Sequence, residues 1–393
     1  MARFSFLLGL LVQCLGVSAC AELSRRGYEQ RRLSSPDRPF EIPSGAVAKV
    51  SIIDSTLRIN GLPPLDLVQP KIPGFDAFRT IPSWSFLVES SKGEKALFDL
   101  GVPPNFNESF SPALVDLIVG FGWDIHVEKH IVDILRENGE DPASIGNIIW
   151  SHSHWDHIGD PSTFPPSTNL VVGPGFSEAA LPGYPTNPDS LVRDVYFENR
   201  TLTEVNFTTS LQIGQFPALD FFGDGSLYLL SSPGHAAGHM SALARTTTNP
   251  DTFIFLGGDV AHHGAEMRPS LQLPIPSNLT GRYVCPDSLQ FCPGREEFAN
   301  LTASLGRDPT GPGLEPAIFV NHTEAIESIQ KAQGFDVRND VWIVWAHDTE
   351  ILGRVDFYPK RVNGWNEKGW NEKFEWEFLT DLARGAAELD DGR

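Results

Sequence analysis

Short apolar runs alternate with clusters of proline, glycine and polar residues along most of the chain, the rhythm of strands separated by turns. The β-branched stretch Val47 to Ile59 predicts a first strand. Ser83 to Glu89 and Lys95 to Asp99 predict two more, the last running into Asp99-Leu100-Gly101. Ser111-Pro112 offers an N-cap followed by proline at the first helical position. A second helix is predicted where Val127, Ile131, Ile134 and Leu135 share one apolar face, closed by Asn138-Gly139. A buried-looking strand from Asn147 to Trp150 then leads straight into a cluster of histidines. Later strands are predicted at 169–172, 226–230, 239–245, 252–256 and 341–345, and a terminal helix at 372–382. Strands followed by helices, twice over, predict two sheets packed face to face with helices outside.

This pattern marks residues 46–358 as one domain. Within it, 267–313 is rich in proline and glycine and reads as a surface insertion beside the mouth of a site. Residues 359–393 form a C-terminal helical tail that opens with Gly-Trp-Asn-Glu-Lys, repeated at 364 and 369.

Composition narrows the class. An apolar fraction of 41% excludes a mostly disordered chain. The formal net charge of -20, with no basic stripe, speaks against a nucleic-acid substrate, because an acidic surface repels polyanions. No apolar tract reaches the length of a membrane span.

The first residues read as a secretory signal. Arg3 precedes the apolar stretch Phe4 to Val17, and Ala19-Cys20-Ala21 is a small-residue cleavage site. Residues 1–21 are therefore expected to be removed, and 22–45, with Arg25-Arg26 and Arg31-Arg32, form a polar leader. Cleavage leaves Cys285 and Cys292 as the remaining cysteines, a close pair expected to form a disulfide in an exported protein. Sequons at Asn107, Asn199, Asn206, Asn278, Asn300 and Asn321 agree with a secreted, glycosylated eukaryotic export product.

The chemistry lies in His152-Ser153-His154-Trp155-Asp156-His157. In extended chain, residues i and i+2 point the same way, so His152 and His154 can face one metal from a strand end. Asp156 and His157 follow as the chain turns. Imidazole nitrogens and carboxylate oxygens suit zinc. Further candidates sit at other strand ends: His235 after Ser232-Pro233-Gly234, Asp259 after Gly257-Gly258, and His347 after the last strand.

This order of motifs, from about Val47 to Leu352, resembles the metallo-β-lactamase superfamily. The resemblance implies an α/β fold, an αββα sandwich of two mixed sheets with metals at one edge. It assigns His152, His154 and His235 to one zinc and Asp156, His157 and His347 to a second, with Asp259 bridging. An intact set is similar to the glyoxalase II and N-acyl homoserine lactonase-like branches, which open thioesters and lactones. In the lactonases a tyrosine lies three residues after the bridging aspartate; here that position is His262, followed by His263. His262 is either a donor to the substrate or a supporting loop residue. His239 is expected to support the fold, and Asp99 to orient a ligand histidine. Trp123, Trp155 and Trp345 are read as core rather than pocket lining.

The function implied is a metal-dependent hydrolase acting on a small molecule, most readily a lactone, related cyclic ester or lactam. Two metals supply activated water, and Asp156 moves the proton to the leaving atom. A thioesterase or arylesterase on the same site is the near alternative. An iron-dependent oxidoreductase on the same fold is the alternative of another class.

Overall fold

The computed structural model describes residues 40–391 apart from residue 209. Two six-stranded sheets carry the architecture, and in both the spatial order follows the chain. The first holds β1 (Lys49–Asp54), β2 (Trp84–Glu89), β3 (Lys95–Phe98), β4 (Asn147–Ile149), β5 (Asn169–Val172) and β6 (Leu202–Glu204). The second holds β7 (Gln212–Ile213), β8 (Phe216–Asp220), β9 (Leu227–Ser231), β10 (Met240–Thr247), β11 (Thr252–Leu256) and β12 (Val341–Val344). Each sheet starts antiparallel and ends parallel. In the first, β3, β4, β5 and β6 pair parallel; in the second, only β11 and β12 do.

A parallel pair needs a crossover, and helices supply it. Between β3 and β4 run the helices Phe106–Ser109, Pro112–Phe121 and Ile131–Glu137. Between β11 and β12 run Gly264–Met267, Arg295–Ser304 and His322–Asp336. The central strands are apolar on both faces because both faces are covered, while the edge strands β6 and β7 keep exposed polar positions. Ile52, Trp84, Phe86, Phe98 and Ile149 of the first sheet share one core with Leu229, Met240, Ala242, Ile254 and Leu256 of the second. Leu97, Ile148 and Leu170 turn outward to the first helical layer, with Leu114, Ile131 and Leu135. Leu243, Phe253 and Phe255 turn outward to Ile329, Ala332 and Phe335. The four layers are those of an αββα sandwich.

Several predicted elements shift. The first strand breaks after Asp54, where Thr56 takes a left-handed φ of 65° and Ser55 Oγ donates to the Ser83 carbonyl at 2.6 Å. The segment Arg58–Asn60 pairs instead with Asp124–His126. The second predicted helix starts at Ile131, four residues late. The terminal helix is two helices, Trp370–Phe374 and Leu379–Asp391, with Trp376 and Phe378 buried between them. The long helix His322–Asp336 was not predicted from its pattern, although Asn321 caps it by accepting from Glu324 N.

Residues 267–313 are anchored by Ile275, Leu279, Tyr283, Phe298 and Leu301, which join the core of the first helical layer together with Leu379, Leu382 and Ala386. The expected disulfide is not formed: Cys285 and Cys292 are free thiols, and the Tyr283 hydroxyl lies 2.9 Å from Cys292 Sγ while donating to the Pro293 carbonyl. The signal segment and most of the leader lie outside the described residues. No helix among the described residues is long and apolar enough to cross a membrane.

Candidate active site

Strand ends from both sheets meet at one edge of the sandwich. Backbone bonds fix the seam: Met240 N donates to the Ser151 carbonyl at 2.8 Å, and Trp84 N to the Ala346 carbonyl at 2.9 Å. Gly258 sits where the loops touch. Its φ is 54°, and a Cβ there would lie 2.9 Å from both Ser151 Cβ and His239 Nε2. Only glycine allows that approach.

The seven sequence candidates fall into two groups that share Asp259. His152, His154, His235 and Asp259 form one, and Asp156, His157, Asp259 and His347 the other; within each, the potential ligand atoms lie within 4.8 Å of one another. In the first, His235 Nε2 is 3.2 Å from His152 Nε2 and 2.9 Å from His154 Nδ1. Three ring nitrogens converging at this spacing approach the edge of a metal tetrahedron, about 3.3 Å for bonds of about 2.0–2.1 Å. Asp259 Oδ2 faces this group, 3.6 Å from His152 Nε2 and 3.4 Å from His235 Nε2. Its Oδ1 lies 3.1 Å from His157 Nε2 in the other group, and His347 Nε2 lies 3.3 Å from both oxygens. Asp156 Oδ2 completes the second group, 3.2 Å from His347 Nε2.

The hydrogen bonding shows what the geometry lacks. His157 Nε2 and Asp259 Oδ1 are buried without a hydrogen-bond partner. Leaving such atoms unsatisfied costs about 1–3 kcal/mol each, and cations between them would remove that cost. Both atoms belong to the second group and suit a cation there, while the three converging ring nitrogens suit one in the first.

His152, His157 and His347 are each oriented by their other nitrogen, whereas His235 Nδ1 is buried without a partner. His157 Nδ1 donates to Asp99 Oδ2 at 2.9 Å. Ser151 Oγ donates to that same oxygen at 2.8 Å and accepts from His152 Nδ1 at 3.0 Å. His347 Nδ1 donates to the Pro82 carbonyl at 2.7 Å. Asp99 thus takes the orienting role expected of it, with its backbone at φ 62° at the end of β3. His239 is not a ligand. Its Nδ1 donates to the Ser232 carbonyl at 2.7 Å and its Nε2 accepts from Asp259 N at 2.9 Å, so it places the shared carboxylate.

Electrostatics separate the groups. Burial pushes His152 and His235 well below the usual imidazole range and takes His154 to about 4, so the first group offers neutral rings. Burial acts on His157 and His347 too. There the carboxylates of Asp259 and Asp156 outweigh it, raising His157 well above its ordinary value and His347 to about 10. Burial opposes ionisation of Asp259, but His157 and His347 hold its carboxyl well below the ordinary range.

His262 stands between the groups. Its Nε2 is 3.4 Å from Asp259 Oδ2, and its ring stacks on His347 with centroids 5.6 Å apart and lies 4.9 Å from that of His235. His263 turns away, towards Asp381. Trp155 and Trp345 are core; Trp123 is half-buried, stacked on Phe121 and 6.4 Å from Trp155. Sequence reasoning passed over Glu266, Arg79 and Asp381, which support the His262 loop. Only Glu266 carried a signal, its capping-box spacing three residues after His263.

Fold and site together define a metal-dependent hydrolase. Residues 79–243 match the metallo-β-lactamase superfamily. The chain is similar to gamma-lactamase FDB1 of Fusarium pseudograminearum (strain CS3096), at 42% identity over 88% of this chain and 85% of that protein. It is also similar to metallo-hydrolase mfmC of Annulohypoxylon moriforme, at 39% identity over 90% and 93%. Among solved structures, a quorum-quenching N-acyl homoserine lactone lactonase shares the fold with a TM-score of 0.52 at 18% identity, covering 81% of this chain and 99% of that one. The chain belongs to the metallo-β-lactamase superfamily.

Proposed function

We propose that the protein is a secreted two-metal hydrolase that opens a small five-membered cyclic amide or ester. The observation that carries the two-metal reading is the Asp259 carboxylate, shared by two groups of candidate ligands, with Oδ2 beside His152 and His235 and Oδ1 beside His157. His152, His154 and His235 would hold one ion and Asp156, His157 and His347 the other, with Asp259 shared. Imidazole and carboxylate donors suit zinc. When bound, the metals supply activated water near neutral pH and polarise the scissile carbonyl.

The chain's own groups then manage orientation and protons. Water adds its oxygen to the carbonyl carbon, the ring C–N or C–O bond breaks, and a proton from that water ends on the leaving atom. A leaving amide nitrogen needs that proton as its bond breaks, so an amide substrate depends on a carrier held in place. Asp156, at the edge of the second group, takes this role. His262 Nε2, facing the same centre, donates a hydrogen bond to the substrate oxygen. The 42% identity to a protein named a gamma-lactamase favours five-membered rings and sets lactams beside lactones.

Export belongs to the same reading. All six sequon asparagines are exposed, as glycan acceptors must be.

The test is addition of one water, followed by mass spectrometry. Zinc-loaded secreted protein would be offered γ-lactams, γ- and δ-lactones, aryl esters and thioesters, each with a chelator-treated control. Chelator-sensitive opening of rings is expected. Turnover of aryl esters or thioesters alone would move the protein to acyclic substrates. Silence with two tightly bound metals would overturn the ring-opening reading and direct attention to redox chemistry. Mass spectrometry of the exported protein tests cleavage after Ala21 and glycans on the six asparagines.

A further inference from the structure

The wall that carries His262 is built from the far end of the chain. After β11 the backbone passes Asp259 and reaches His262 and His263, whose N–H groups both donate to Glu266 Oε2, at 2.6 and 2.9 Å. The orientation of His263 follows from its contacts. Nδ1 accepts from Ala265 N at 3.1 Å, so the ring proton sits on Nε2 and donates to Asp381 Oδ2 at 3.3 Å. Asp381 lies in the first turn of the helix Leu379–Asp391, its side chain 10% exposed.

Arg79 closes the arrangement. Its Nε is 3.1 Å from Asp381 Oδ1, and its Nη2 is 2.6 Å from Glu350 Oε1. Glu350 lies three residues past His347 and donates its N–H to Asp348 Oδ1 at 3.1 Å. One guanidinium thus ties the loop after His347 to the carboxylate that holds His263. Packing leaves the loop little freedom: the His263 ring meets Phe75, Phe78 and Phe378 at 5.2, 5.8 and 5.7 Å, and a Cβ at Gly264 would fall 2.5 Å from Phe378 Cδ1.

We infer that Asp381 is a positioning residue for the hydrolytic site: through His263 it sets where His262 stands against the two ligand groups. The inference rests on the reading that His262 faces the substrate. Asp381 touches no group of either metal set, so its loss should leave the metals in place and misplace the donor. A clamp that served folding alone would lower stability and leave a bound substrate reacting at the same rate.

The test uses the zinc-loaded full chain carrying Asp381→Asn, with His263→Gln as the second variant should the first fail to fold. Histidine-selective 15N spectra, assigned with His262→Gln, report the rings without any substrate. The wild type should show His263 with its proton on Nε2. Asp381→Asn should move the His262 signals along with those of His263 and leave His239 unchanged. On a substrate that the wild type turns over, kcat should fall about tenfold or more, with KM and two bound zinc ions retained. Unmoved His262 signals, or unchanged kcat with only a lower Tm, would overturn the inference. If no substrate is turned over, the proposed function fails, while the spectra still decide the role of Asp381.

Discussion

Two loops deliver most of the groups that face the metal positions, and they are held in opposite ways. The loop after β4 carries His152, His154, Asp156 and His157 within six residues and is anchored at close range. Ser151 N and Oγ both donate to Asp99, at the end of the neighbouring strand, and the same carboxylate takes the His157 proton. The loop after β11 carries one candidate ligand, Asp259, and one facing residue, His262. Its supports are His239 on Asp259 N, Glu266 on two backbone N–H groups, and Asp381 on His263. They come from three separate parts of the chain. The dense motif is held by one carboxylate of the neighbouring strand, whereas the sparse one combines its own Glu266 with two residues remote in sequence, His239 and Asp381.

The largest effect should come where the loops share a group. Asp259→Ala removes the carboxylate that faces both sets, so neither loop can compensate. Bound zinc should fall from two ions to one or none, and the hydrolytic rate by more than about a hundredfold, beyond what residues that merely orient ligands contribute. Elemental analysis beside the rate assay checks it. Full metal content with full rate would break the premise that the two loops converge on one carboxylate.

Next in size is the anchor of the first loop. Asp99→Asn keeps the shape but presents a single acceptor oxygen where Ser151 N, Ser151 Oγ and His157 Nδ1 now share two. Zinc affinity, measured by competition with a chromogenic chelator, should drop by about 10–100-fold. The loss should be greatest for the group that holds His157. Equal weakening of both groups would mean that Asp99 acts as much on His152, through Ser151, as directly on His157.

This contrast explains what could be read in advance. The first loop was legible because its ligands are adjacent and follow an apolar strand. Its anchor, Asp99, ends the preceding strand in a recognisable Asp-Leu-Gly. His235, Asp259 and His347 each gave an ambiguous local signal and became interpretable in order, through resemblance to a family. Asp381 and Arg79 gave none, since their role exists only where residues 79, 263, 350 and 381 meet in space. The sandwich itself was legible because its central strands, such as Trp84–Glu89, Met240–Thr247 and Thr252–Leu256, are buried on both faces. The helix His322–Asp336 was missed because it is polar on most sides and shows only a thin stripe, Ala325, Ser328, Ile329, Ala332 and Phe335.

The smallest effect, and the sharpest test of how the second loop is held, is expected at Glu266. Its side chain is buried, and burial pushes its carboxyl above the ordinary range against the pull of His262. What the loop uses is an acceptor: Oε2 takes the N–H groups of His262 and His263, while Oε1 has no partner. Glutamine presents the same acceptor without a charge, so Glu266→Gln should change kcat by less than about threefold and stability by less than about 1 kcal/mol, within the scale of one neutral hydrogen bond. Glu266→Ala leaves two buried N–H groups unsatisfied, at about 1–3 kcal/mol each, and should lower the Tm visibly. Thermal melts and rates on both variants separate the cases. If glutamine proved as damaging as alanine, the second loop would be held by charge, as the first is by Asp99, and the contrast between one carboxylate anchor and several scattered hydrogen bonds would have to be redrawn.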